Sequence, residues 1–192
     1  MRDADVRRAL HEDLRLLHAG ELDNTLFVDE LGLCGEVRVD VAVVNGALSG
    51  FELKSARDTL TRLPRQVRTY SQVLDYASIV TAENHMTGVL KIVPKWWGVY
   101  CVKGDIEHLK IMKMRPPSFN PDIQAHKLGT LLWRSELLDA LIQRGLDRGV
   151  RSKPRKDMLS RLVENVSLEE LRMIVRESLK ARPNWRSDPA SN

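Results

Sequence analysis

Val37-Arg38-Val39-Asp40-Val41-Ala42-Val43-Val44, then Asn45-Gly46, then Ala47-Leu48-Ser49-Gly50-Phe51-Glu52-Leu53-Lys54 is the stretch on which the fold turns. Val37–Val44 is rich in β-branched residues and reads as a strand. Asn45-Gly46 is the strongest short hairpin signal. Leu48–Lys54 is then the returning strand. Three side chains of this hairpin carry chemistry: Asp40, Glu52 and Lys54. Two carboxylates on adjacent strands can hold one hard divalent cation through oxygen ligands. A lysine two residues beyond the second carboxylate lies on the same strand face, because side chains repeat with period two. Together they supply a Lewis acid, an activated water and a cation for developing charge, the parts needed to hydrolyse a phosphodiester.

Register decides whether this can work. A tight two-residue loop pairs Val44 with Ala47 and turns Glu52 to the face opposite Asp40. A three-residue loop, Val44-Asn45-Gly46 with Gly46 left-handed in a G1 bulge, or an equivalent one-residue offset, puts Asp40, Glu52 and Lys54 on one face. Val39, Val41, Val43, Phe51 and Leu53 then share the other. The offset is the expectation.

Upstream, Val6, Leu10, Leu14 and Leu17 mark one face of a helix over Asp3–His18, with Arg7, Arg8, Glu12 and Arg15 on the wet side and Gly20 as its stop. Thr25–Val28 is a short strand or bridge. Downstream, Leu60, Leu63, Val67, Tyr70 and Leu74 predict a helix over Thr59–Tyr76, with Pro64 in its first turns. Ser78–Ala82 and Val99–Val102 predict two buried strands, Trp96-Trp97-Gly98 leading into the second. The order helix, hairpin, helix, strand, strand predicts an α/β or α+β core with a mixed sheet. Pro116, Pro117 and Pro121 mark a linker. Beyond it the chain reads as helical. One helix runs over Leu131–Arg144 and is closed by Gly145. A second starts at Pro154, and a third opens on the capping box Ser167-Leu168-Glu169-Glu170. The expected organisation is a core over 1–115, a linker over 116–128 and a helical appendage over 129–192.

Composition sets the outer limits. The chain has 192 residues, 43% of them hydrophobic and 29% charged, which suits one soluble domain with a small appendage. No run approaches the ~20 apolar residues of a membrane span, and Met1–Asp5 has no apolar h-region, so no membrane partner and no secretory signal are expected. Cys34 and Cys101 are far apart, which argues against a disulfide framework or a thiolate zinc site and for a cytoplasmic setting. Residues 1–150 carry 20 basic and 20 acidic side chains, and residues 151–192 carry 10 and 6. The net +4 therefore comes from the last stretch, which permits a polyanionic partner.

Asp40, eleven intervening residues, and Glu52-Leu53-Lys54 resemble the PD-(D/E)XK nuclease superfamily. Gln66-Val67-Arg68-Thr69-Tyr70 resembles the Gln-x-x-x-Tyr signature of its RecB-like branch. Those two residues stand at i and i+4 of a helix and share a face, with Arg62 one turn earlier. The wider run also resembles a group of bacterial and phage proteins assigned to that superfamily by this motif. The resemblance implies a restriction-endonuclease-like αβββαβ core and a metal-dependent nuclease, most simply a deoxyribonuclease and endonuclease. It implies that Asp40, Glu52 and the backbone carbonyl of Leu53 hold Mg²⁺ or Mn²⁺, that Lys54 is the catalytic lysine, and that Gln66 and Tyr70 position water or substrate. Val39 stands where the family has proline. The family often adds a glutamate, for which Glu12, Glu30 and Glu36 remain alternatives. DNA is the implied partner, RNA remains open, and a double-strand cut would suit a homodimer.

Other readings stand beside these. Lys54 can be the structural ion-pair partner of a buried carboxylate, which leaves a non-catalytic nucleic-acid-binding or scaffold protein. Arg62 can bind nucleic acid or be an ordinary exposed arginine. His85 can meet metal or phosphate, or cap a turn. Trp96 and Trp97 can stack on bases or pack the core. Cys34 and Cys101 are most simply small buried hydrophobes. Leu137 to Leu162 resembles a SAP-type helix–extended–helix DNA-binding unit, in which Arg151, Lys153, Arg155 and Lys156 would meet phosphate at a helix start.

Overall fold

The computed structural model describes residues 3–104 and 109–183. The ends of the expected core and appendage, 1–2 and 184–192, and residues 105–108 lie outside the described residues. The chain divides into two compact units, one up to Ile123 and one from Gln124.

The first unit is built on a six-stranded mixed sheet in the order β1-β2-β3-β4-β5-β6. Its elements are α1 (Asp3–Leu17), β1 (Leu26–Leu33), β2 (Val37–Val44), β3 (Leu48–Lys54), α2 (Leu63–Ser71), β4 (Tyr76–Ala82), α3 (Met86–Ile92), β5 (Gly98–Lys103) and β6 (Lys110–Arg115). β1, β2 and β3 form an antiparallel meander. β4 joins β3 in parallel, β5 joins β4 in parallel, and β6 closes the edge antiparallel to β5. The fold is mixed α+β with C-terminal helices, and its first elements follow the expected αβββαβ order.

α1 lies on the sheet because Val6, Leu10 and Leu14 form one stripe against Val41, Val43, Phe51 and Leu53. Each such buried side chain contributes roughly 2 kcal/mol. Asp3 and Asp5 in the first turn and Arg15 in the last complement the helix dipole. Leu17, expected on this stripe, is exposed.

The hairpin register falls on the side that chemistry requires. Val44 pairs with Leu48, Val43 with Ser49, Ala42 with Gly50 and Val41 with Phe51. The loop is therefore Asn45-Gly46-Ala47, three residues long, but not the expected Val44–Gly46 loop. Gly46 is not left-handed, so there is no G1 bulge. Asn45 makes the turn instead: its N–H donates to the Ala47 carbonyl at 3.0 Å, and its Oδ1 accepts from Ala47 N–H at 3.1 Å. Val39 also departs from expectation. Its Cγ1 and Leu74 Cδ1 both crowd the position that a Cβ on Gly50 would take, so it packs beside Leu74, away from Val41 and Val43. The change of face occurs where Glu30 stands left-handed at φ 59°, between the pairs Asp29–Val41 and Leu31–Val39.

α2 is shorter than the periodicity suggests. Pro64 holds its start. At its far end Asp75 takes Leu48 as partner through both main chain and carboxylate, at 2.9 and 2.7 Å, and draws the chain into β4. The sequence reading missed α3 and β6, and saw only the start of β1. β6 is an edge strand bearing Lys110, Lys113 and Arg115, with no apolar alternation to announce it. The proline segment after β6 is fixed to the first unit. Ser118 N–H donates to the Trp96 carbonyl at 2.8 Å, and the buried Asn120 amide donates to the Ser71 and Leu74 carbonyls at 2.8 Å. The boundary therefore follows Ile123, and α4 (Ala125–Gly129), expected in a linker, belongs to the second unit.

That unit adds α5 (Arg134–Gln143), α6 (Arg155–Asn165) and α7 (Leu168–Ala181). Its core holds Leu132, Leu137, Leu141, Met158, Leu162, Val175 and Leu179. Gly145, at φ 66°, ends α5 as expected. The Ser167 hydroxyl accepts from Glu170 N–H at the start of α7.

Candidate active site

β2 and β3 stay paired only as far as Val41 and Phe51. Beyond that point β2 pairs with β1 alone, and β3 with β4 alone. The parting of the strands opens a cleft of about 340 Å³. Asp40, Glu52, Leu53, Lys54, Arg62 and Gln66 all line it, as do Glu30 and Glu36. Glu12, the other candidate acid, is exposed on α1 and is not among the lining residues.

Leu53 N–H, released from the β2 ladder, donates to Asp40 Oδ2 at 2.7 Å. Burial pushes the Asp40 carboxyl up to about 7. The neighbouring Glu52 charge adds to the rise, against lowering by Leu53 N–H, Arg7 and Lys54. Two carboxylates therefore share a partly dry site with too little positive charge between them.

Glu52 is 1% exposed and Lys54 is 4% exposed. Lys54 Nζ donates to Glu52 Oε1. Gln66 joins the pair, its Nε2 donating to Glu52 Oε1 at 2.6 Å and its Oε1 accepting from Lys54 Nζ at 3.3 Å. Tyr70 is fully buried and its hydroxyl donates to Glu52 Oε2 at 2.6 Å. Burial first, then Glu52, holds the Tyr70 hydroxyl well above its usual range, so it acts as a donor and not as a base. The i, i+4 pair of α2 thus grips the glutamate–lysine pair from one side. Trp97 stacks on Tyr70 at 5.5 Å between ring centroids. Trp96 and Trp97 are buried, so both pack the core and are not placed for base stacking. The His85 ring lies 3.1 Å from the Ser55 carbonyl and ties down the loop after β3. Cys101 is buried, whereas Cys34 is half-buried in the β1–β2 turn at φ 56°, and no disulfide joins them.

Three lining arginines escaped the sequence reading. Arg38 is a 71% exposed side chain on β2, and Arg65 follows Arg62 by one turn of α2. That i, i+3 spacing was a signal available in the sequence. Arg7 was expected in solvent. Its guanidinium instead reaches the main-chain carbonyl of Asp40 and Glu30 Oε1. No local pattern announces contacts between residues 23 and 33 positions apart.

In the helical unit the four basic residues part company. Arg155 donates to the Thr130 and Leu132 carbonyls at 2.6 to 3.0 Å, which makes it a cap on the turn after α4. Arg151 pairs with Asp147. Lys153 and Lys156 are exposed.

The family model described as bacteriophage P4 protein cII matches residues 3–189. The chain belongs to the bacteriophage P4 protein cII family. Protein cII of Enterobacteria phage P4 is 27% identical to this cII-family chain over 183 residues, covering 95% of this chain and 68% of that protein. Among solved structures, the SPO1766 protein of unknown function from Silicibacter pomeroyi covers 67% of the cII-family chain and 86% of its own, at 18% identity and a TM-score of 0.37, a value at which the two folds are not equated. Among the described residues, no helix of the cII-family chain is long and apolar enough to cross a membrane.

Proposed function

We propose that this chain is a metal-dependent nuclease that hydrolyses phosphodiester bonds in DNA, with a restriction-endonuclease-like core. The observation that carries the reading is that Asp40, Glu52 and Lys54 line one cleft. The donor chemistry fits a hard divalent cation: two carboxylate groups with deficient counter-charge, beside the Leu53 main chain. Among the described residues no group of three or more His, Cys, Asp or Glu side chains is gathered for a metal, so water would complete the shell. Asp40, Glu52 and the Leu53 carbonyl would hold Mg²⁺ or Mn²⁺. When bound, the ion supplies Lewis acidity and lowers the pKa of a water.

The protein's own groups have definite tasks in this reading. Tyr70 and Gln66 orient Glu52 by donating to its two oxygens. Gln66 holds Lys54 in a fixed place beside Glu52, where its ammonium can meet a phosphoryl oxygen as charge develops. Arg38, Arg62 and Arg65 supply positive charge at the same cleft for the flanking backbone. Lys153 and Lys156 supply more on the helical unit.

A second reading has an observation of its own. Both Glu52 oxygens already have partners in Lys54, Gln66 and Tyr70, as a purely structural network would. The chain would then be a nucleic-acid-binding or scaffold protein without catalysis. One assay separates the two. Purified protein is incubated with plasmid, linear and single-stranded DNA, and with RNA, in Mg²⁺ or Mn²⁺. Controls are chelator and Lys54→Ala. Cleavage abolished by both controls supports the nuclease. No cleavage under any condition supports the binder.

A further inference from the structure

Arg7 stands where several acids meet. Its Nη2 lies 2.8 Å from Glu30 Oε1, 3.3 Å from Asp3 Oδ2 and 3.6 Å from Asp40 Oδ1. Its Nη1 donates to the Asp40 carbonyl and lies 3.7 Å from Asp29 Oδ1. The side chain is 19% exposed and lines the cleft. Glu30 faces it from a left-handed position in mid-strand, at φ 59°, a conformation that a non-glycine residue keeps only when its surroundings hold it.

We propose that Arg7 is the resident counter-ion of this cleft, neutralising Asp40 and Glu30 while no divalent cation is bound and opposing the cation that would replace it. This rests on reading the cleft as a cation site. The geometry separates Arg7's charge from any orienting role. Asp40's carboxylate is oriented by Leu53 N–H on Oδ2, whereas Arg7 bonds the main chain of Asp40 and stands beyond hydrogen-bond distance of Oδ1. Removing the guanidinium therefore leaves the ligand oxygens where they are and takes away a positive charge. It also takes from Glu30, a further acid of the same cleft, its nearer cation, and leaves Arg38 Nε at 3.6 Å from Glu30 Oε2. Cation affinity is thus set partly from α1, outside the hairpin that carries the ligands.

The test is Mn²⁺ binding to the full chain at low salt, followed by calorimetry and by the electron-spin signal of free Mn²⁺. Arg7→Gln is expected to bind Mn²⁺ about tenfold more tightly than the unsubstituted protein, equivalent to about 1.4 kcal/mol. Arg7→Lys, which keeps the charge, and Arg8→Gln, on the exposed side of α1, are expected to stay within about threefold. Equal or weaker binding by Arg7→Gln, with the unsubstituted protein binding normally, overturns the inference and leaves the cation site standing. Absence of Mn²⁺ binding by every protein at millimolar ion overturns the cation site and the inference with it. If Arg7→Gln does not fold, as judged by circular dichroism, Glu30→Gln decides. It removes the acid nearest to Arg7, which leaves more of the guanidinium's charge to Asp40, and is expected to weaken Mn²⁺ binding about threefold or more, and unchanged affinity refutes the proposal.

Discussion

Asp40→Asn should make the protein more stable at alkaline pH while removing a ligand from the cleft. The folded protein holds the Asp40 carboxyl at about 7 against a usual 3.8. A carboxylate raised in this way is bound to its proton more tightly in the folded state. Stability from this group is therefore greatest below about pH 4, falls as pH rises, and levels off above about 7. At 1.36 kcal/mol per pH unit the full difference is roughly 4 kcal/mol. The side chain remains 21% exposed, so about 2–4 kcal/mol is expected. Asparagine keeps an oxygen for Leu53 N–H and never ionises. Urea unfolding in chelator, at pH 5 and pH 8, measures the difference between the two proteins. The expected result is a gain of about 2 kcal/mol or more for Asp40→Asn at pH 8, shrinking towards pH 5. Excess Mn²⁺ at pH 8 should narrow the gap by stabilising the unsubstituted protein alone. A variant that is less stable at pH 8, or a difference that does not vary with pH, refutes the electrostatic account of the site.

Lys54→Met leaves Glu52 buried without its cation and is expected to cost about 3–5 kcal/mol, whereas Lys54→Met with Glu52→Gln should recover most of it; urea midpoints of the two single variants and the double variant give the coupling. Gly50→Ala would place a Cβ 2.5 Å from Leu74 Cδ1 and 3.0 Å from Val39 Cγ1, and the thermal midpoint should fall by the equivalent of about 1–3 kcal/mol. Arg155→Gln should lose about 1–2 kcal/mol of stability with its carbonyl contacts and leave the salt dependence of DNA affinity unchanged. The pair Lys153→Gln and Lys156→Gln should do the reverse, lowering that slope by roughly 2 if both meet phosphate.

The hairpin was legible because its information is local. Strand boundaries at Val37, Val44, Leu48 and Lys54 coincide with the limits of the Val-rich run and its return, and period-two alternation sets Glu52 and Lys54 on one face whatever surrounds them. The stripe on α1 and the Gln66–Tyr70 pair on α2 follow as directly from helical spacing. What local pattern could not contain is the set of encounters between distant segments. Asp75 meeting Leu48 ends the run of helical residues after α2 early. Glu30 turning left-handed beside Asp40 moves Val39 to the Leu74 side. Asn120 donates to the Ser71 and Leu74 carbonyls and so carries the boundary past the prolines. Arg7 leaves the solvent face assigned by periodicity because four acids lie within 4 Å of its guanidinium. Side-chain period is a property of the chain, but which charge a long arginine neutralises depends on what the fold brings within a few ångströms of it.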